Sequence, residues 1–232
     1  PYAGDLKFLD LDDTKVINGG EWTLDNHGDL DRIGNVLPRY QFGLNLDFKW
    51  NGIGISAFFQ GVGKRDWYPS VGTDLFWGAY SRAYCGYVLK NQAGDNYVHL
   101  DKSTENWTVT NPGAYWPRRA YAQATNTTGT FVFANDYFLQ NVAYVRLKNL
   151  TVDYTFPKKW MSKANIEQLR VYASCENLFT WSPMYRNTSM FDPEVIVKGD
   201  SDFTSLSVNT SLGDGYSYPM LKTFTLGINL TF

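Results

Sequence analysis

The sequence predicts an all-β fold, an antiparallel transmembrane β-barrel segment of about five strands with long extracellular loops. Three observations predict it. Apolar and polar residues alternate over stretches of about ten residues, the period of a strand with one apolar face. Short and long connections take turns along the chain, as they do where successive turns of an up-and-down sheet fall on opposite rims. Aromatic residues reach 17% while charged residues fall to 19%, so rings are displayed outward as well as packed inside.

Residues 1–38 read as a loop on the long-loop rim. Residues 39–62 read as a hairpin. In its first strand Tyr40, Phe42, Leu44, Leu46, Phe48 and Trp50 share one face, and Arg39, Gln41, Gly43, Asn45, Asp47 and Lys49 share the other. Asn51-Gly52 follows, a dipeptide that tolerates positive φ at both central positions and closes a two-residue turn with the right twist. The return strand sets Ile53, Ile55, Ala57 and Phe59 against Gly54, Ser56, Phe58 and Gln60, and only Phe58 departs from the rule.

Residues 63–137 form a long loop, and residues 138–181 a strand pair. In Val142 to Phe156, Leu150, Val152, Tyr154 and Phe156 share a face, whereas Val145 and Leu147 have the opposite parity. That conflict predicts a bulge near Lys148 and Asn149, or a strand end above the apolar zone. After Pro157, Lys158 to Asn165 predicts a short helical turn. In the next strand Leu169, Val171, Ala173 and Cys175 oppose Arg170, Tyr172, Ser174 and Glu176. Residues 182–219 form a second long loop, and residues 220–232 the closing strand, with Phe224, Leu226, Ile228, Leu230 and Phe232 on its apolar face. A half-buried soluble sheet would alternate in the same way. The rings at the ends of the apolar faces and the Arg, Lys, Asn, Thr and Gly opposite them favour an interfacial girdle and a wet lumen.

Composition removes other classes. Lys+Arg 21 against Asp+Glu 23, with no basic block, lacks the clustered positive surface that phosphate binding needs. Apolar runs no longer than Val142 to Val145 fall far short of the roughly 20 residues of a membrane-spanning helix, so any crossing must use strands. Cys85 and Cys175 have no metal-like spacing and allow one disulfide at most. His27 and His99 sit in loops outside any nucleophile motif, which predicts a protein that is not an enzyme. Five strands cannot close a barrel whose smallest familiar form has about eight, so other strands must complete it. The start at Pro1, without Met or a leader, likewise reads as part of a longer product.

GDLKFLDLDD (Gly4 to Asp13), Asp31 to Tyr68, YVRLKNLTVDYTFPKKWM (Tyr144 to Met161), LRVYASCENLFTWS (Leu169 to Ser182), FDPE (Phe191 to Glu194) and GYSYPMLKTFTLGINLTF (Gly215 to Phe232) follow one another along the chain. Together they resemble the C-terminal part of a SusC/RagA-type TonB-dependent outer-membrane transporter. The resemblance implies a larger barrel of roughly 22 strands around a plug, set in the lipid bilayer of the bacterial cell outer membrane. It implies import of oligosaccharides, or alternatively peptides, by binding and gated passage. Implied partners are the remaining N-terminal barrel strands and plug, a SusD-like surface lipoprotein as lid, and TonB, reached through the missing N-terminal part. It also implies that Phe224, Leu226, Ile228, Leu230 and Phe232 serve as a barrel-assembly signal besides closing the barrel.

Candidate site residues divide into two groups. Trp67, Tyr68, Trp77, Tyr80, Trp107, Tyr115 and Trp116, in the long loop, offer flat apolar faces with polar edges suited to sugar rings, and packing or lid contact is the competing role. Arg146, Lys148, Arg170, Tyr172 and Glu176 are the lumen-facing candidates, with pairing to a plug or to neighbouring strands as the competing role. Asp10, Asp12 and Asp13, with Asp25, Asn26, Asp29 and Asp31, form oxygen-rich clusters of the kind Ca²⁺ uses. Asp12-Asp13-Thr14-Lys15 lacks the glycine of a sharp metal loop, so a solvated loop is the better reading and no metal or other cofactor is expected. The rivals from other classes are a secreted aromatic-rich carbohydrate-binding β-sandwich and a fragment of a glycoside hydrolase.

Overall fold

Five strands in simple up-and-down order build the main sheet of the computed structural model: β1 (Gln41–Trp50), β2 (Ile53–Val62), β7 (Tyr144–Thr155), β8 (Gln168–Trp181) and β9 (Thr223–Thr231), each antiparallel to the next. The structure describes residues 7–69, 76, 98–103, 105, 107–116, 134–161, 166–196 and 218–232. Two short ladders were not signalled by alternation, because two-residue strands carry no period. β3 (Asp66–Trp67) pairs with β6 (Gln140–Asn141), and β4 (Leu100–Asp101) with β5 (Thr108–Val109). After β7 comes α1 (Lys158–Met161), within the expected helical turn.

The chain divides into two compact units. One comprises Asn35–Trp67, Gln140–Lys198 and Gly215–Phe232 and contains the five-stranded sheet; the other comprises Pro1–Gly34, Tyr68–Leu139 and Gly199–Asp214.

The turn between β1 and β2 is the Asn51-Gly52 hairpin, with φ of 46° and 84°. Gly52 is needed there twice over: its φ is left-handed, and a Cβ would lie 2.7 Å from the carbonyl oxygen of Thr155. The parity conflict in β7 resolves as a bulge at Lys148. On one side Phe58 and Phe59 of β2 pair with Asn149 and Leu147, leaving Lys148 extra. On the other, Leu147 and Asn149 pair with Phe179 and Glu176, so two residues, Asn177 and Leu178, stand opposite Lys148. Asn177 takes φ of 51°, the left-handed kink that a bulged strand uses. The adjoining bulges flip both strands together, so Val145, Leu147, Phe179 and Trp181 rejoin the apolar face defined lower down by Leu150, Val152, Ala173 and Cys175.

Phe58, the one break in the hairpin's alternation, lies on the polar face opposite Asn45. Its ring occupies the space left by Gly43, where a Cβ would meet Phe58 Cε2 at 3.2 Å.

Among the described residues, none forms a core beneath the apolar face. Phe48 is 58% exposed and Leu226 84% exposed, and Leu44, Leu46, Trp50, Phe224 and Ile228 are exposed with them. In this unit the buried apolar residues lie at the long-connection end of the sheet: Val62, Trp67, Val142, Ala143, Tyr144, Met184, Phe191 and Ile196. Such an apolar expanse far exceeds the scattered surface hydrophobes of a water-facing sheet.

Candidate functional site

Opposite the apolar face, strand register places Arg170, Tyr172 and Glu176 on one polar wall with Asn149, Asp153, Thr223, Gly227 and Asn229. Arg170 donates from Nη2 to Asp153 Oδ1 at 2.6 Å, and its guanidinium lies 5.8 Å from the centroid of the Tyr172 ring. Tyr172 in turn covers Gly227, where a Cβ would fall within 2.5 Å of ring carbon Cε1. These side chains therefore brace neighbouring strands, as well as lining a polar surface.

Arg146 stands on the same face, where its register partners are Gln60 and Thr180, and it is 2% exposed. Each of its three guanidinium nitrogens donates a hydrogen bond. Nε donates to Thr180 Oγ1 at 2.7 Å, Nη1 to Glu194 Oε2 at 2.5 Å and Nη2 to Asp192 Oδ1 at 2.5 Å. Lys148, the bulge residue, reaches the other Glu194 oxygen at 2.7 Å. Two cations and two carboxylates thus neutralise one another where a lone buried charge would be strongly unfavourable. Asp192 also accepts backbone N–H groups from Glu194 at 3.0 Å and Met220 at 2.9 Å.

The aromatic candidates separate by burial. Trp67, on β3, packs edge-on against Phe191 with centroids 5.0 Å apart. In the other unit Trp116 is 2% exposed and is packed by Phe76 at 5.0 Å, Tyr115 at 5.0 Å and Phe138 at 6.0 Å. Tyr115 stacks on the exposed Tyr137 at 5.5 Å, and the Tyr137 hydroxyl donates to the Tyr115 carbonyl at 3.1 Å. Tyr68 accepts a hydrogen bond from Asn135 Nδ2 at 3.0 Å, and burial pushes its phenol well above the ordinary value. Trp107, following β4, lies on the surface at 36% exposed, with the Lys102 ammonium 5.3 Å from its ring centroid. Trp77 and Tyr80 lie outside the described residues, as does Cys85; Cys175 is a free thiol.

Carboxylate oxygens of Asp10, Asp12 and Asp29 come within 4.8 Å of one another. Each also staples its own loop. Asp29 accepts the N–H groups of Leu11 at 2.6 Å and Asn18 at 2.8 Å, Asp10 accepts that of Lys15 at 2.7 Å, and Asp12 accepts the hydroxyl of Thr14 at 2.7 Å. The Thr14 bonds hold the Asp12 carboxyl below its usual range.

Sequence reasoning missed Asp192 and Glu194 as the partners of Arg146, and missed Tyr137, Phe138 and Asn135 as packing partners of the loop aromatics. FDPE was visible as a motif, but the 46 and 48 residues between it and Arg146 leave no periodic trace of the pairing.

No family model matches the chain. It is 30% identical over 222 residues, 92% of its own length, to TonB-dependent receptor P3 of Formosa agariphila. It is 31% identical over 144 residues, 60% of its length, to TonB-dependent receptor SusC of Bacteroides thetaiotaomicron. The chain spans 19% of the first relative and 13% of the second, a fifth or less of either. Among solved structures, the RagAB peptide importer in its closed-closed state matches over 90% of this chain and 19% of that one, with 21% identity and a TM-score of 0.55, a likeness of fold.

Proposed function

The chain belongs to the SusC-like TonB-dependent receptors, and from that premise we propose that it forms part of the wall of an outer-membrane importer. The observation that carries the reading is the five-stranded meander with a continuous exposed apolar face on one side and a hydrogen-bonded polar face on the other. Lipid covers the first and a water-filled lumen the second. Trp50, Tyr154, Phe156 and Trp160 lie toward the short-turn rim, and Tyr40, Phe179 and Trp181 toward the other, as interfacial belts. Strands from the rest of the receptor, with its plug, complete the barrel at the free edges of β1 and β9, and Phe224, Leu226, Ile228, Leu230 and Phe232 carry the assembly signal. A SusD-like lipoprotein closes over the long connections, and TonB supplies energy through another part of the receptor. Transport proceeds by binding and passage, without bond chemistry and without a resident cofactor.

Oligosaccharide is the substrate class the aromatic loop favours. Trp107 is the described tryptophan of that loop that remains 36% exposed, and Tyr137, stacked on Tyr115, is a second exposed ring. Stacking is worth about 0.5–1.5 kcal/mol, roughly a two- to tenfold change in affinity. In the whole receptor with its lipoprotein, Trp107→Ala is expected to weaken oligosaccharide binding by that factor while the barrel still assembles. Peptide binding with no measurable oligosaccharide binding would transfer the reading to a peptide importer. A receptor soluble without detergent would remove the importer altogether.

A further inference from the structure

Ser182 to Ile196, between β8 and the start of β9, is tied down along its length. Ser182 caps the 3-10 turn Pro183–Arg186. Asn187 Nδ2 donates to Gln140 Oε1 at 3.1 Å, and Gln140 is itself buried. Phe191 packs on Trp67. Asp192 and Glu194 receive Arg146, Glu194 receives Lys148, and the carbonyl of Ile196 accepts from Arg65 Nη2. Met184, Thr188, Phe191 and Ile196 are all nearly or fully buried. A segment expected to be an extracellular loop is thus held by buried side chains and hydrogen bonds along its length.

We infer that Ser182 to Ile196 is a fixed inner strap of the wall and that Arg146 is the positioning residue that seats it. Arg146 is the hub because one rigid guanidinium fork joins β7 to β8 through Thr180 and to both carboxylates of the FDPE turn. Asp192 then passes the constraint on to the backbone of Met220, which leads into β9. Arg146 and Lys148 spend their charge inside this cluster, so they hold the strap instead of meeting the ligand. The inference stands on the packing alone and does not depend on the substrate class.

The test uses the whole receptor in detergent, in a cysteine-free background, with a spin label at Met190→Cys, a strap position that is 47% exposed. With Arg146 intact the label should give an immobilised spectrum. Arg146→Met should convert it to a predominantly mobile one. Arg146→Lys, which keeps the charge but loses the fork, should give a mixture. Asp192→Asn, close in size and shape, should also mobilise the label, and in combination with Arg146→Lys should add little, since both break one contact. Should Arg146→Met fail to assemble, the lysine and asparagine variants carry the test by themselves. A label equally immobile in the lysine and asparagine variants would overturn the proposal. So would an Arg146→Lys receptor that loses ligand affinity with its label unmoved, because that pattern belongs to direct contact.

Discussion

Gly227→Ala tests the polar wall at its tightest point. Glycine in a strand interior normally costs about 0.5–1 kcal/mol relative to alanine, because the unfolded chain loses more freedom. On that ground alone the substitution should stabilise the receptor. The structure predicts the reverse. Gly227 pairs with Tyr172, and a Cβ there would fall within 2.5 Å of ring carbon Cε1 and nearer still to Cζ and the hydroxyl. The ring must leave its position, with the Arg170 guanidinium that lies over it, at an overpacking cost of about 1–3 kcal/mol. Removing the ring first by Tyr172→Ala should restore the ordinary sign, so that Gly227→Ala becomes neutral or slightly stabilising. The entropy gain is common to both backgrounds and cancels, which leaves a coupling equal to the overpacking cost, roughly 1–3 kcal/mol. The assay is urea unfolding of the detergent-solubilised receptor, followed by loss of the folded barrel's electrophoretic mobility, for both single variants and the double. Equal effects of Gly227→Ala in the two backgrounds would refute the steric argument.

Three further outcomes are expected. Gly52→Ala places a side chain at φ of 84° and 2.7 Å from the Thr155 carbonyl oxygen, and should cost about 1–3 kcal/mol in the same unfolding assay, whereas Asn51→Gly should be nearly neutral. Trp116→Ala should cost about 3–5 kcal/mol through the cavity left among Phe76, Tyr115 and Phe138, read as early proteolysis within its unit; Trp107→Ala should leave proteolysis unchanged. Burial favours the neutral phenol of Tyr68, so its folded pKa stands above the ordinary 10.0. Its contribution to stability is then complete below pH 10 and is lost as pH rises toward the folded value. A phenolate absorbance titration should show Tyr68→Phe removing a component that ionises above pH 10, and removal of a component at or below that pH would contradict the enclosed hydroxyl.

Period two was enough to assign faces. Leu44, Leu46, Phe48, Leu226 and Ile228 announce an apolar side because successive side chains of a strand point oppositely, a local property of the chain. Asn51-Gly52 announced its own turn for an equally local reason, since both residues accept positive φ. The parity conflict of Val145 and Leu147 required a bulge, and β7 carries it at Lys148. What it could not convey was that β8 bulges beside it at Asn177, which register between two strands alone establishes.

The candidate site was less legible. Trp67, Trp107 and Trp116 are one residue type in one predicted loop, yet the first and third are buried against other rings and the second stands at the surface, because burial depends on which distant residues arrive beside them. Arg146 read as a lumen-facing cation, with pairing to a plug or to neighbouring strands as the competing role; three-dimensional packing brings Asp192 and Glu194 to it from far along the chain and uses its charge for anchorage. The sequence by itself therefore determined the five long strands, their faces and the tight hairpin, all of which follow from the stereochemistry of neighbouring residues. Tertiary structure alone decided which rings and charges are consumed in packing, since that rests on contacts between residues far apart along the chain.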